Sequence, residues 1–365
     1  MLGYIAAGIG LGYLTAGTPL MVSINPELLV ELGATLLLFA LGIEFSLKTL
    51  ASVPRVAFFG APLQMCLTST YGFGLGMVLG WEWRVALLFG LLVALSATLL
   101  VQAPLVDHCV GSTHAKAVVM ALLTMQHLLI IPVAFLLTLP YGETFAFASI
   151  IVAILEGILF LLITLFVGIW VLPRLLALLG ANTTPELRDL LVLAGVAIVT
   201  YGAYLFALPF VLVAFAIGLS LSESSLSRHT MQELLRVRGI FTFLFFVGVG
   251  LLFNLDFFLR HWHAVLFIVI VVTVGKSLIL ALTTYLAGER NGIPPLAALG
   301  LFQVGEMSII LIWLGWQRGI VDNNIYALLI ASILVMMALT PFVVRLAPSL
   351  PKVISRRGSL GAGRM

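Results

Sequence analysis

The sequence predicts an all-α, polytopic membrane protein of about twelve transmembrane helices, and three observations carry that expectation. Hydrophobic residues make up 62% of the 365 positions and charged residues only 9%, with a mean hydropathy of +1.21; a soluble domain carries about 25% charged residues. Apolar stretches recur from end to end, each near the roughly 20 residues a helix needs to cross a bilayer. Lys and Arg fall unequally on alternate connections, as cytoplasmic enrichment in basic residues requires.

Charged residues, prolines and Asn clusters bound the spans at 2–22, 28–47, 53–79, 84–106, 115–139 and 145–171, then 190–207, 209–222, 239–253, 264–286, 295–316 and 325–344. The first opens MLGYIAAGIGLGYL with no basic leader region, so it reads as a retained span and not a cleaved signal peptide. The fourth is interrupted near its middle by Ser96-Ala97-Thr98, with Gly90 before and Pro104 after. The eleventh carries Gln303-Val304-Gly305-Glu306 at the matching place. Fourteen basic residues (Lys48, Arg55, Lys116, Arg174, Arg188, Arg228, Arg236, Arg238, Arg290, Arg345, Lys352, Arg356, Arg357 and Arg364) fall on one side. Three (Arg84, Arg260 and Arg318) fall on the other, and Lys276 lies inside a span. A wrong count would mix the two sets, so both termini are expected in the cytoplasm, in a cell (inner) membrane. The net charge of +3 follows from those cytoplasmic connections and asks for no nucleic-acid partner. Cys66 and Cys109 lie in or beside apolar segments and are expected to be reduced and inert.

The two halves echo each other. AAGIGLG (6–12) resembles AFAIGLS (214–220), and LLFALGI (37–43) resembles LFFVGVG (244–250). Both echoes are seven spans apart; an odd offset places the copies in opposite orientations, the signature of inverted repeats in secondary transporters. A transmembrane domain over 1–347 is therefore expected, with repeat one at 1–139, a linker helix at 145–171 and repeat two at 188–347. A short basic tail, 348–365, follows. Span seven has no partner in this scheme, which implies that the pattern's first helix is absent before Met1.

Ionisable groups inside a membrane are costly and are functional suspects. Near mid-span lie His127, Glu156, Lys276 and Glu306, with Glu31 and Glu44 nearer span ends. Ser96 and Thr98, paired across the repeat with the Gly305-Glu306 segment, have the character of a discontinuous helix, whose unwound carbonyls bind cations and whose half-helix N-termini favour anions. Each has a plainer reading as well. Ser96 and Thr98 can bond a carbonyl one turn back or join helices. Glu306 can be a paired structural acid, Lys276 can snorkel, and His127 can be a satisfied interior histidine. Glu156, on the linker span, reads best as structural.

In their order along the chain, these motifs resemble the membrane domain of Kef-type monovalent cation:proton antiporters, a sodium/hydrogen exchanger-like fold. GYIAAGIGLG resembles that family's glycine-rich second helix, and LLLFALGIEFSLKTL its "LFLIGLEL" segment. ALSATLLVQ resembles its "ALSSTA" break, VAFAIGLSLSES its "GAFLAGLLLSES", FLFFVGVGLLFNLDFF its "FFVSVGMLLD" and QVGEMSIIL its "GEFAFVL". GKSLILAL supplies a lysine at the expected helix. The resemblance implies thirteen helices in inverted repeats, two broken helices that cross, a homodimer in the lipid bilayer, and exchange of K⁺ or Na⁺ for protons without a cofactor or resident metal. It places the ion and proton site at Ser96, Thr98, Gln126, His127, Lys276 and Glu306. It also implies an Asp after Gln126 as the principal carrier, where LLTMQHLLIIP places His127. A carboxylate binds a proton or a hard cation through the same oxygens. Neutral imidazole is a poor alkali-metal ligand, and imidazolium repels cations. Three readings therefore stand: an antiporter with altered coupling in which His127 carries the proton and Glu306 the negative charge, a proton-linked transporter of another solute, and a non-transporting scaffold. An intramembrane enzyme is not expected, because no closely spaced His/Glu metal set or nucleophile–base pair is present.

Overall fold

A computed structural model of the chain describes residues 2–15, 26–44, 52–53, 55–97, 101, 113–134, 147–166, 170–171, 174, 213–215, 217–219, 238–290 and 292–346. Among them the ordered elements are all helical, which in hydrocarbon satisfies every interior backbone group within the segment itself. The helices are α1 (Leu2–Thr15), α2 (Pro26–Glu44), α3 (Ala61–Val78, entered through a π-helical turn at Val56–Gly60), α4 (Trp83–Ala94), α5 (Thr113–Ala134) and α6 (Phe147–Phe166). They continue as α7 (Arg238–Leu251), α8 (Leu255–Leu286), α9 (Ile293–Leu301), α10 (Glu306–Gln317) and α11 (Asn323–Leu346). By length and composition α8 and residues Asn323–Val343 of α11 are able to cross a membrane, and α9 with α10 forms a span bent by 43° at its break.

The ends of these helices follow local chemistry. The Asn254 side chain accepts the Phe257 N–H at 2.9 Å and caps α8. Asp322 does the same for α11 through the Ile325 N–H at 2.7 Å. Between α8 and α9 the chain turns on Gly288 (φ 98°) and Gly292 (φ 85°), conformations open to glycine. The Asn254 cap also moves a boundary. The tenth span was expected from residue 264, yet α8 begins at Leu255 and carries Arg260 and His263 inside it, bending at His261 (φ −118°, ψ 22°). Its 32 residues extend about 48 Å at 1.5 Å per residue, longer than a hydrocarbon core of about 30 Å. α8 is therefore longer than a straight crossing requires.

The chain divides into two compact units, each discontinuous in sequence: Gly3–Leu47 with Leu129–Leu252, and Lys48–Leu128 with Phe253–Met365. In the first unit α2 packs along α7. Gly8 of α1 meets the Gly250 main chain of α7, and Gly42 of α2 meets Gly218. A Cβ at any of the four would run into main chain, so the helices approach backbone to backbone. In α6 the residues Leu155, Leu159, Leu162 and Phe166 are exposed, the apolar face that lipid accepts. In the second unit α3 packs along α4 through Gly72 and Gly90, and α8 lies against α3, α9 and α11. The seventh span, the tail and Cys109 lie outside the described residues.

Candidate functional site: two helix breaks joined by a lysine

The site lies within the second unit, where α4 stops at Ala94 and α9 stops at Leu301. Leu95 leaves the helical region (φ −87°, ψ 142°); its N–H still reaches the Leu92 carbonyl at 3.3 Å, but the carbonyls that follow lose the i+4 donors a continuing helix would give. A helix end buried without partners is untenable in an apolar interior. Here three other helices supply the donors. Ser308 Oγ of α10 donates to the Leu92 carbonyl at 2.8 Å, and Gln64 Nε2 of α3 donates to the Ala94 carbonyl at 3.3 Å. Lys276 Nζ of α8 donates to the Leu95 carbonyl at 2.6 Å.

The second break is held in the same way. Ser96 Oγ donates to the Leu301 carbonyl at 2.9 Å, and Gln303 Nε2 approaches the Ala97 carbonyl at 3.4 Å. Lys276 Nζ also donates to the Gln303 carbonyl at 2.9 Å. One fully buried ammonium thus bonds both breaks at once. It sits where the C-terminal ends of α4 and α9 concentrate negative partial charge. Gly305 makes the crossing close: a Cβ there would stand 2.5 Å from the Ser96 carbonyl carbon and 2.6 Å from the Ala97 nitrogen. Glu306, 1% exposed, opens α10 and sets a carboxylate at that helix's positive end.

Gln126 and His127 come from α5 and are both fully buried. Gln126 Oε1 accepts the Ser96 N–H at 3.1 Å, and Gln126 Nε2 donates to Gln64 Oε1 at 2.8 Å. His127 Nδ1 lies 2.7 Å from the Leu123 carbonyl. A carbonyl only accepts, so Nδ1 carries the hydrogen and Nε2 is the nitrogen that gains or loses a proton.

Ser96, Gln126, His127, Lys276 and Glu306 are therefore all buried in one unit, and the first four are fitted with hydrogen bonds. Thr98 lies outside the described residues. Glu156 is exposed on α6 and Glu31 partly exposed on α2, both in the first unit; the Glu44 side chain is not described. The acceptors of the Lys276 side chain are main-chain carbonyls of both breaks. Gln64, Thr68 and Ser308 do not ionise, so they do not stand out in the sequence as Lys276 and Glu306 do. A neutral amide inside the apolar third span was the available signal for Gln64. Among the described residues there is no group of three or more His, Cys, Asp or Glu able to hold a metal.

Residues 1–346 match the family model described as sodium/hydrogen exchanger, transmembrane. The chain is 31% identical over 350 residues to a putative cation/proton antiporter, YbaL, of Escherichia coli, covering 93% of this chain and 62% of that one. It is 26% identical over 360 residues to K(+) efflux antiporter 4 of Arabidopsis thaliana, covering 95% and 59%. The chain thus spans about six tenths of the length of these curated relatives. In fold it is similar to the solved sodium proton antiporter MjNhaP1 of Methanocaldococcus jannaschii, with a TM-score of 0.66 at 15% identity over 96% of this chain and 97% of that one.

Proposed function

This chain belongs to the sodium/hydrogen exchanger transmembrane family, and we propose that it exchanges a monovalent cation, K⁺ or Na⁺, for protons at the crossing of its two helix breaks. The observation that carries this reading is the Lys276 ammonium held by the Leu95 and Gln303 carbonyls at 2.6 and 2.9 Å. These oxygens already accept hydrogen bonds from one buried amine, and carbonyl oxygens are the ligands that replace water around a permeating alkali cation. A cation and the Lys276 ammonium compete for the same two oxygens. Entry of one requires the other to withdraw, or to lose its proton and stay as a neutral amine. Only the second course releases a proton as the cation enters, and it couples the two without a carboxylate at position 127.

In this reading His127 stands where relatives of the type this sequence resembles carry Asp, and its Nε2 is the proton-exchanging atom. Glu306 supplies the negative charge that the Asp would have supplied. The repeat division at 1–139, 145–171 and 188–347, the cytoplasmic termini, the cell (inner) membrane and a homodimer complete the proposal. The Gly8–Gly250 and Gly42–Gly218 contacts support the repeats: exchanging the two echoes turns one contact into the other to within two residues.

The test uses the purified chain in proteoliposomes that enclose a pH-sensitive dye. A pH gradient is imposed and its collapse recorded on adding Na⁺, K⁺ or Li⁺. Cation-dependent collapse is expected, lost in Lys276→Ala and reduced in Glu306→Gln. Silence toward every cation from folded, inserted protein would sink exchange and favour another solute or a scaffold.

A further inference from the structure

We propose that Gln64, on α3, is the positioning residue that fixes the first helix break, acting through Gln126. The residue neither ionises nor belongs to either interrupted helix, and the exchange reading gives it no task. Yet both ends of its amide are committed. Nε2 donates to the Ala94 carbonyl at 3.3 Å and reaches Thr68 Oγ1 at 3.1 Å, while Oε1 accepts from Gln126 Nε2 at 2.8 Å. Because the Gln126 amide is held at its nitrogen by Gln64, its oxygen faces Ser96 and accepts that residue's N–H at 3.1 Å. Ser96 Oγ then passes the chain on to the Leu301 carbonyl. A continuous line of side-chain hydrogen bonds runs from Thr68 through Gln64, Gln126 and Ser96 to the last residue of α9, and all four side chains are fully buried.

The directionality matters. An amide has one donor end and one acceptor end. Ala94 and Thr68 take the donors of Gln64, so only its oxygen is available to Gln126, and the Ser96 N–H, a donor, takes the oxygen of Gln126. Reversing either amide would face donor to donor or acceptor to acceptor, in an interior where an unmet polar group is expensive. The arrangement has one low-energy sense. It sets the peptide before Ser96, whose carbonyl, that of Leu95, is one of the two oxygens that hold Lys276. Gln64 therefore governs where that oxygen points without touching it.

The claim about the break stands apart from transport; its consequence for cation affinity rests on the exchange reading. Two measurements on the full chain separate them. The first is hydrogen–deuterium exchange of the segment 92–97 in lipid nanodiscs. Gln64→Leu, of similar size but unable to hydrogen-bond, is expected to accelerate exchange in that segment by about tenfold, the loss of one net hydrogen bond, and Gln126→Leu to do the same. The double variant should be no faster than Gln64→Leu alone, because Gln64 reaches the break both directly at the Ala94 carbonyl and through Gln126. Thr70→Ala, whose hydroxyl bonds only the Cys66 carbonyl on an exposed face, should leave the segment unchanged. The second measurement is the half-saturating cation concentration in the proteoliposome assay, expected to rise in Gln64→Leu with the maximal rate less affected. Unchanged exchange at 92–97 in folded Gln64→Leu would overturn the proposal. So would an additive double variant. Faster exchange at the break with no cation response from the unmodified protein would uphold the positioning role and defeat only the exchange reading. Should Gln64→Leu fail to insert, Gln64→Met and Gln126→Leu carry the same comparison.

Discussion

Lys276 has four methylene groups buried among helices and a single charged atom spent on two carbonyls. Replacing it by Met keeps most of that packing and removes the donor. Two carbonyls at buried helix ends would then be left without it, each at a cost of about 1–3 kcal/mol. Lys276→Met is therefore expected to lower the stability of the purified protein by about 2–4 kcal/mol, read as a shift of its thermal melt in detergent. Ser277→Ala, one residue on, removes a hydroxyl 3.5 Å from the Ala298 carbonyl. That is at the limit of a hydrogen bond, and the change should cost less than about 0.5 kcal/mol. Equal effects of the two would show that the ammonium's bonds carry little weight. At this scale the sequence disclosed the polar residues but not their partners. Lys276, His127 and Glu306 stand out because each is ionisable within an apolar run. The atoms that receive Lys276 are main-chain oxygens 181 and 27 positions away, and no pattern of side chains displays them. Gln64 stayed hidden because an uncharged amide does not break an apolar span.

Helix against helix, glycine decides how near the breaks can come. In the α3–α4 pair a Cβ on Gly72 would stand 2.8 Å from the Gly90 Cα, and one on Gly90 would run into the Ser69 carbonyl. Gly90→Leu should force α3 away from α4, pull Gln64 off the Ala94 carbonyl, and yield little monodisperse protein on size-exclusion chromatography. Gly74→Ala, on α3 beside Gly72 but with nothing within 4 Å of the added carbon, should express and elute like the unmodified chain, since alanine is the better helix former. If both behave alike, the seam does not limit the approach. Most helices of these units were legible as apolar runs bounded by charge, and the break in the eleventh span was legible from Gln303 to Glu306. The start of α8 was not. Arg260, His261 and His263 read as a polar connection, whereas the Asn254 cap and the bend at His261 let the helix run straight through them.

At the scale of the whole molecule, each unit is assembled from segments far apart in the chain. Such an assembly needs both halves to be inserted in the correct sense. The distribution of Lys and Arg gives that sense, and impermeant thiol labelling tests it. With Cys66 and Cys109 replaced by Ser, Asn324→Cys in the exposed first turn of α11 should react from the outside of intact right-side-out vesicles. Arg290→Cys, in the connection between α8 and α9, should react only after permeabilisation. The reverse pattern would overturn the cytoplasmic placement of the termini. The all-α membrane class could be read from composition alone, because hydrocarbon imposes length and charge rules on every segment. The division into two units could not, because it depends on which helices touch.

The contact of Gly305 with the Ser96–Ala97 main chain has a mechanical consequence. Where backbone rests on backbone, with one Lys276 side chain bonded to both breaks, α4, α9 and α10 are pinned at one point like spokes at a hub. They can be carried together, but drawing any one of them out along its axis breaks the hub for all three. A force applied to this unit should therefore meet a single stiff element, and the compliance of the unit must lie in its turns and not at its centre.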